Sequence, residues 1–124
     1  MGPYLAIAIG GTLGCWARYW LTGFVQNTVG RGFPYATLLI NVLGAFVMGF
    51  LFIETLERVT VSPAVRTGLL TGVLGGFTTF STFALETLML MEEGAVVKAI
   101  LYVTLSVVLG LSGAFAGIYL ARNH

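Results

Sequence analysis

Aspartate is missing from the 124 residues, and cysteine and histidine occur once each, as Cys15 and His124. A single cysteine excludes an intrachain disulfide and any thiolate metal cage built by one chain. One histidine at the C-terminal end, without aspartate, excludes a Ser/His/Asp triad and a His-rich metal site. Charge is also scarce. Charged residues make up 9% of the chain, with six Lys and Arg against five acidic residues and a net charge of +1. No strongly basic face is available for nucleic acid. Glu54 and Glu57 sit at the edge of an apolar segment and read as interfacial groups. No nucleotide-binding motif is present, and nothing in the chain argues for an enzyme.

Hydrophobic residues make up 57% of the sequence, and the mean hydropathy is +0.95. A soluble domain carries about a quarter of its residues as charges, so this chain cannot cover itself with a water-compatible surface. Three windows, 35–53, 67–85 and 99–121, lack any charge, and a fourth, 3–25, is interrupted only by Arg18. Each is near the roughly 20 residues that cross about 30 Å of hydrocarbon as a helix. The fold expected is an all-α membrane protein, one domain over residues 1–124 with helices at about 3–25, 35–57, 63–91 and 96–121. The first apolar run has no preceding Lys or Arg and is too long for a signal-peptide core; it reads as a membrane helix.

With four spans, Arg58, Arg66 and Arg122 share one side, while Arg31 and Lys98 share the other, with Arg18 a turn or two inside the first helix. Orientation normally follows a clear Lys/Arg excess on the cytoplasmic side, and here there is almost none. Two readings stay open: one topology enforced by something else, or copies that insert both ways and pair antiparallel. The loops are short and marked by breakers: Gly30, Gly32 and Pro34, then Ser62-Pro63 as a helix start, then a turn at 92–94. Seventeen glycines form small-xxx-small patterns at Gly10/Gly14, Gly68/Gly72/Gly76 and Gly113/Gly117, with a looser one at Ala45/Gly49. Such faces let helices approach closely where lipid supplies no hydrophobic force. Four helices of this size can hardly enclose a polar route alone, so an oligomer is expected, most economically a dimer.

The unusual stretch is Gly75-Gly76-Phe77-Thr78-Thr79-Phe80-Ser81-Thr82-Phe83, followed by Glu86, in an otherwise apolar segment. Polar groups at membrane depth are costly and usually serve a pathway or a helix contact. Paired glycines and hydroxyls are poor helix material, so the helix either breaks here or continues with its hydroxyls back-bonded. A break would free carbonyls for a cation and a half-helix N-terminus for an anion. Phe77, Phe80 and Phe83 recur every third residue as a stripe whose ring edges are positive; with Ser81 and Thr82 they suit an anion better than a metal. Asn41, with Thr37 one turn earlier, is either interhelical glue or a donor for a permeating ligand. Arg18 is expected to snorkel or to draw anions into a vestibule. Glu86 could pair with a cation, take a proton or gate the route. Tyr102 and Ser106 share a face of the last helix and could extend a hydroxyl track.

Three motifs resemble the Fluc (CrcB) fluoride-channel family: Gly10-Gly11-x-x-Gly14-x-x-x-Arg18-Tyr19; Pro34-x-x-Thr37-Leu38-x-x-Asn41-x-x-Gly44-x-Phe46-x-x-Gly49; and Gly72-x-x-Gly75-Gly76-Phe77-Thr78-Thr79-Phe80-Ser81-Thr82-Phe83. Ala36 and Ala45 depart from the Gly and Ser expected there and touch packing only. The resemblance implies an antiparallel, dual-topology homodimer with two fluoride pathways and a third helix broken at 75–78. It implies a structural sodium ion on the dimer axis, held by the Gly75 and Thr78 carbonyls of both copies. Phe80 and Phe83 would line the route with Asn41 beside them. Ser81, Thr82, Thr37, Tyr102 and Ser106 would form a polar track, Glu86 would take part in fluoride movement, and Arg18 would serve the vestibule.

The expected function is passive fluoride conduction out of the cell, relieving fluoride toxicity, across a bacterial inner membrane. Fluoride, a second copy and the bilayer are the expected partners. The rival is a proton-coupled anion antiporter, and a further one is a non-transporting scaffold assembled through the small-residue faces.

Overall fold

The structure, a computed structural model, describes residues 2–124. It is helical throughout, in four rods. The first is α1 (Gly2–Val29). The second is α2 (Tyr35–Ile53), which runs on into a π-helical turn, Glu54–Arg58. The third joins α3 (Pro63–Thr67), a π-helical segment Gly68–Leu74 and α4 (Gly75–Phe77), and after a break continues as α5 (Phe80–Glu92). The fourth is α6 (Val96–Asn123).

The helix ends follow from local chemistry. Ser62 accepts a hydrogen bond from the Val65 N–H at 3.2 Å, with Pro63 in the first turn, which starts α3 as its sequence predicts. Gly30 (φ 86°) stops α1 and Gly94 (φ 82°) closes the turn after α5; both sit in the left-handed region that glycine tolerates. α1 therefore runs four residues past its expected end at Val25, because the stop lies at Gly30 and not at the apolar boundary.

Contacts at the two ends fix an up-and-down order. At one end Arg58 donates to the Arg122 carbonyl (3.2 Å), Arg66 donates to the Phe52 carbonyl (3.1 Å) and to Thr55 Oγ1 (2.8 Å), and the His124 ring meets Glu54. Glu54, 9% exposed, is not the free interfacial group expected; His124 and Arg58 (3.7 Å) cover it. At the other end Lys98 Nζ donates to the Gly32 carbonyl at 3.1 Å. The small-residue patterns are spent inside the chain. A Cβ on Gly10 or Gly14 would collide with backbone at Gly68 or Val73, so α1 rests directly on the π-helical part of the third rod. Likewise Gly49 abuts the Ala114 carbonyl and Gly117 abuts the Phe46 carbonyl, closing α2 onto α6.

Three rods are long and apolar enough to cross a membrane: Tyr35–Arg58, Pro63–Glu92 and Val96–Asn123. The chain is a multi-pass membrane protein. α1 has the length, about 42 Å at 1.5 Å per residue, but Arg18 and its glycines, tyrosines and tryptophans make it less apolar. Its outer face carries Tyr4, Leu5, Ile9, Leu13, Trp16 and Trp20, all exposed.

Candidate functional site

The third rod breaks at Thr78 (ψ 159°) and Thr79 (φ −151°, ψ 119°), two extended residues between helical ones. This corrects the expected position at 75–78: Gly75, Gly76 and Phe77 are helical. Gly76 serves close packing instead, since a Cβ on it would press on the Gly11 carbonyl at 2.8 Å.

An extended residue inside a membrane needs partners for its backbone, and those of Thr79 are both supplied by one side chain. Thr79 N–H donates to Asn41 Oδ1 (2.8 Å), and Asn41 Nδ2 donates to the Thr79 carbonyl (2.9 Å). Arg18 Nε donates to the Gly76 carbonyl (3.1 Å), capping the C-terminal end of the first half-rod, where positive charge is favoured. Thr79 Oγ1 accepts from the Thr82 N–H (3.3 Å) and is the N-cap of α5. Thr78 Oγ1 donates back to the Leu74 carbonyl at 2.9 Å. The two sequence readings therefore both hold in part: the helix breaks, and a hydroxyl back-bonds beside the break.

Among the carbonyls that lose their helical donors at the break are those of Gly75 and Thr78. The N–H four residues after Gly75 is that of Thr79, taken by Asn41; the N–H four residues after Thr78 is that of Thr82, taken by Thr79 Oγ1. Gly75 is exposed and Thr78 half-buried. Oxygen donors of this kind on unwound backbone suit a hard monovalent cation.

Three cavities meet around the break. The outermost, about 380 Å³, is lined by Gln26, Arg31, Phe33, Glu86, Glu93 and Lys98 among others. The second, about 350 Å³, holds Arg18, Thr22, Gln26, Thr37, Thr79, Thr82 and Glu86. The third, about 380 Å³, is lined by Asn41, Thr78, Thr79, Phe80, Phe83 and Ser106. Gln26 and Glu86 border the first two, and Thr79 borders the second and third. Charged groups of both signs line the first cavity, Arg18 and Glu86 stand among hydroxyls in the second, and hydroxyls meet aromatic rings in the third.

Most of the residues singled out in the sequence converge here, and their partners sharpen their roles. Tyr102 is fully buried (0% exposed) and its hydroxyl donates to Glu86 Oε1 at 2.9 Å. Phe83 packs on Tyr102, with ring centroids 5.1 Å apart, and Phe80 on Phe83 at 5.6 Å. Phe80 is 78% exposed, so beyond Phe83 most of its ring is uncovered. Phe77 is separated from this pair by the break, so the expected three-ring stripe reduces to two. Ser106 Oγ is buried with no hydrogen-bond partner and borders the innermost cavity. Thr37 is buried on the middle one. Ser81 is exposed and lines none of the three. Cys15 is exposed and borders the middle cavity.

Two residues here carry no signal in the sequence. Thr79 is the hub of the break, although nothing distinguishes it from Thr78 as text. Phe33, in the loop before α2, packs edge-to-face on Tyr102 (5.6 Å, 81°).

The model of the family described as CrcB-like protein, Camphor Resistance (CrcB), matches residues 5–118. A relative from Acidithiobacillus ferrooxidans, called fluoride-specific ion channel FluC, is 59% identical over 117 residues, 94% of each chain. One of the same name from Geobacter sulfurreducens is 49% identical over 123 residues, 99% of each chain. Another, from Methylococcus capsulatus, is 50% identical over 118 residues, 95% of this chain and 52% of its own length.

Proposed function

From the premise that this chain belongs to the CrcB family, we propose that it is a fluoride channel through which fluoride leaves the cell passively. The relatives' names supply the ion. The observation that carries the reading is the row of three cavities from Arg31 and Lys98, past Glu86 and the hydroxyls, to Phe80 and Phe83.

The physical problem is dehydration, since a bare anion in a low-dielectric medium costs tens of kcal/mol by Born estimates. A conducting route replaces water with contacts weak enough to release the ion. The innermost cavity offers Thr and Ser hydroxyls, the positive edges of Phe80 and Phe83 and the N-terminal end of α5, with no cationic side chain in its lining. The one guanidinium near the break, Arg18, is engaged by the Gly76 carbonyl and stands in the cavity before it. Arg18 then concentrates anions in a vestibule without trapping them beside the phenylalanines. An inside-negative potential drives an anion outward by about 2.3 kcal/mol per 100 mV, so export needs no nucleotide and relieves fluoride toxicity.

The working unit in this reading is an antiparallel homodimer of dual topology in a bacterial inner membrane, each copy spanning four times with α1 included. Phe80, Ser81 and Gly75 are exposed in the single chain although they lie at the polar heart of the third rod; a second copy covers them. The nearly even distribution of Lys and Arg suits both orientations. The Gly75 and Thr78 carbonyls of two such copies are the donors for a structural sodium ion, which would hold the two broken rods together.

The test is electrode-recorded efflux from liposomes loaded with fluoride or chloride, with valinomycin clamping the potential and no pH gradient. Fluoride release with chloride retained supports the channel. Release only after a proton gradient is applied would replace it with a proton-coupled antiporter.

A further inference from the structure

The loop between α1 and α2 is tied down at its centre. Lys98 Nζ, from the first turn of α6, donates to the Gly32 carbonyl at 3.1 Å, and the next residue, Phe33, turns inward. Phe33 stands edge-to-face on Tyr102 at 5.6 Å and 81°, while Phe83 packs on the same ring at 5.1 Å. Tyr102, with no exposed surface, is thereby held between a loop ring and a pathway ring. Its hydroxyl has a defined partner, Glu86 Oε1, at 2.9 Å. Glu86 borders both outer cavities, so the contact that aims it bears on the whole approach. An edge-to-face aromatic contact is directional, and a leucine of similar bulk would fill the space without fixing the ring.

We propose that Phe33, held by the Lys98–Gly32 tether, is a positioning residue of the ion pathway: it fixes Tyr102, and through the Tyr102 hydroxyl it aims the Glu86 carboxylate. This rests on the channel reading above. Phe33 contributes no polar atom to the route. It acts on where the carboxylate stands relative to Arg18, Arg31, Lys98 and Glu93, the other charged groups lining the two cavities Glu86 borders.

The experiment is fluoride efflux from liposomes carrying the full chain, comparing wild type with Phe33→Leu, Phe33→Tyr, Tyr102→Phe and the Phe33→Leu/Tyr102→Phe double variant. Phe33→Leu is expected to slow efflux about tenfold, and Phe33→Tyr to recover most of that rate; in the Tyr102→Phe background, where the hydroxyl is already gone, the Phe33→Leu penalty should shrink below about twofold. A penalty of equal size in both backgrounds would show that Phe33 merely packs, and a wild-type rate in Phe33→Leu would also overturn the inference. Should Tyr102→Phe alone abolish flux, the aromatic rescue decides, and equal loss in the leucine and tyrosine variants overturns it. Should Phe33→Leu fail to fold, Phe33→Met carries the same cycle, because it keeps an apolar side chain without the ring. Wild type that releases no fluoride would sink the channel reading first; wild type that conducts while Phe33 is inert sinks this inference alone.

Discussion

The Asn41 side chain lies against the backbone of Thr79 as a neighbouring strand would, donating to its carbonyl at 2.9 Å and accepting from its N–H at 2.8 Å. One amide replaces two helical hydrogen bonds at membrane depth. Asn41→Leu removes both partners and leaves two backbone groups unsatisfied, at about 1–3 kcal/mol each. Asn41→Asp keeps the acceptor but sets a carboxylate oxygen against the Thr79 carbonyl. Both variants should unfold in detergent at clearly lower temperature than wild type and lose fluoride flux, with Asn41→Gln intermediate. Thermal unfolding followed by circular dichroism, with efflux in parallel, checks this.

Arg18 divides its work between structure and attraction, and the two can be separated. Its Nε holds the Gly76 carbonyl at 3.1 Å from a half-buried position. A hydrogen bond from a charged group contributes about 1.5–3 kcal/mol, with the lower end apt at partial exposure. Arg18→Gln keeps a donor and removes the charge, so most of the stability should survive. Efflux should then fall at low fluoride and recover at high fluoride. Unchanged flux at low fluoride would remove the vestibule role.

Gly14 and Gly23 lie on the same helix and should respond oppositely to one methyl group. A Cβ at Gly14 would run into the Val73 carbonyl and the Phe77 N–H, whereas one at Gly23 meets nothing within 4 Å. Gly14→Ala should push α1 off the third rod and destabilise by about 1–3 kcal/mol. Gly23→Ala should be neutral or stabilise by about 1 kcal/mol, since alanine favours helix. Unfolding midpoints of the two variants provide the comparison.

Removing sodium should weaken assembly more than it weakens the single-chain fold. The Gly75 and Thr78 carbonyls have lost their helical donors to Asn41 and Thr79, and in the proposed antiparallel dimer four such oxygens would hold the ion. Exchange into a sodium-free buffer of N-methylglucamine should shift the protein from dimer to monomer on size exclusion and abolish flux, with recovery on adding sodium. A dimer indifferent to sodium would argue against the ion.

The four rods are visible in the sequence because apolar windows, Pro63, Gly30 and Gly94 act locally and leave their mark in composition. The break is visible only as a neighbourhood. Gly75 and Gly76 draw attention as weak helix formers, yet both stay helical, Gly76 against α1, and the extended residues are the two threonines, with Thr79 held by Asn41. Asn41 as glue depends on which backbone group lies opposite, a fact 38 residues away along the chain. The same holds for Tyr102 and Glu86, each marked as a track residue but not as a pair. Phe33 was illegible for a simpler reason: an aromatic in a loop beside a membrane reads as an interface anchor until its neighbour is known. The π-helical turns leave no compositional trace.

The π-helical segment Gly68–Leu74 acts as an inserted residue within its rod, and that sets a phase. At 3.6 residues per turn, one residue more or less swings everything downstream by about 100° around the axis. Deleting a single residue between 68 and 74 would allow an ordinary helix of about the same length and phase, with the apolar content hardly changed. Straightening all seven residues into an ordinary helix would instead point Thr78 and Thr79 away from α2 and carry the Gly76 carbonyl off Arg18. The wide turn therefore works as a clocking device: it absorbs one residue so that the broken rod still faces its partners.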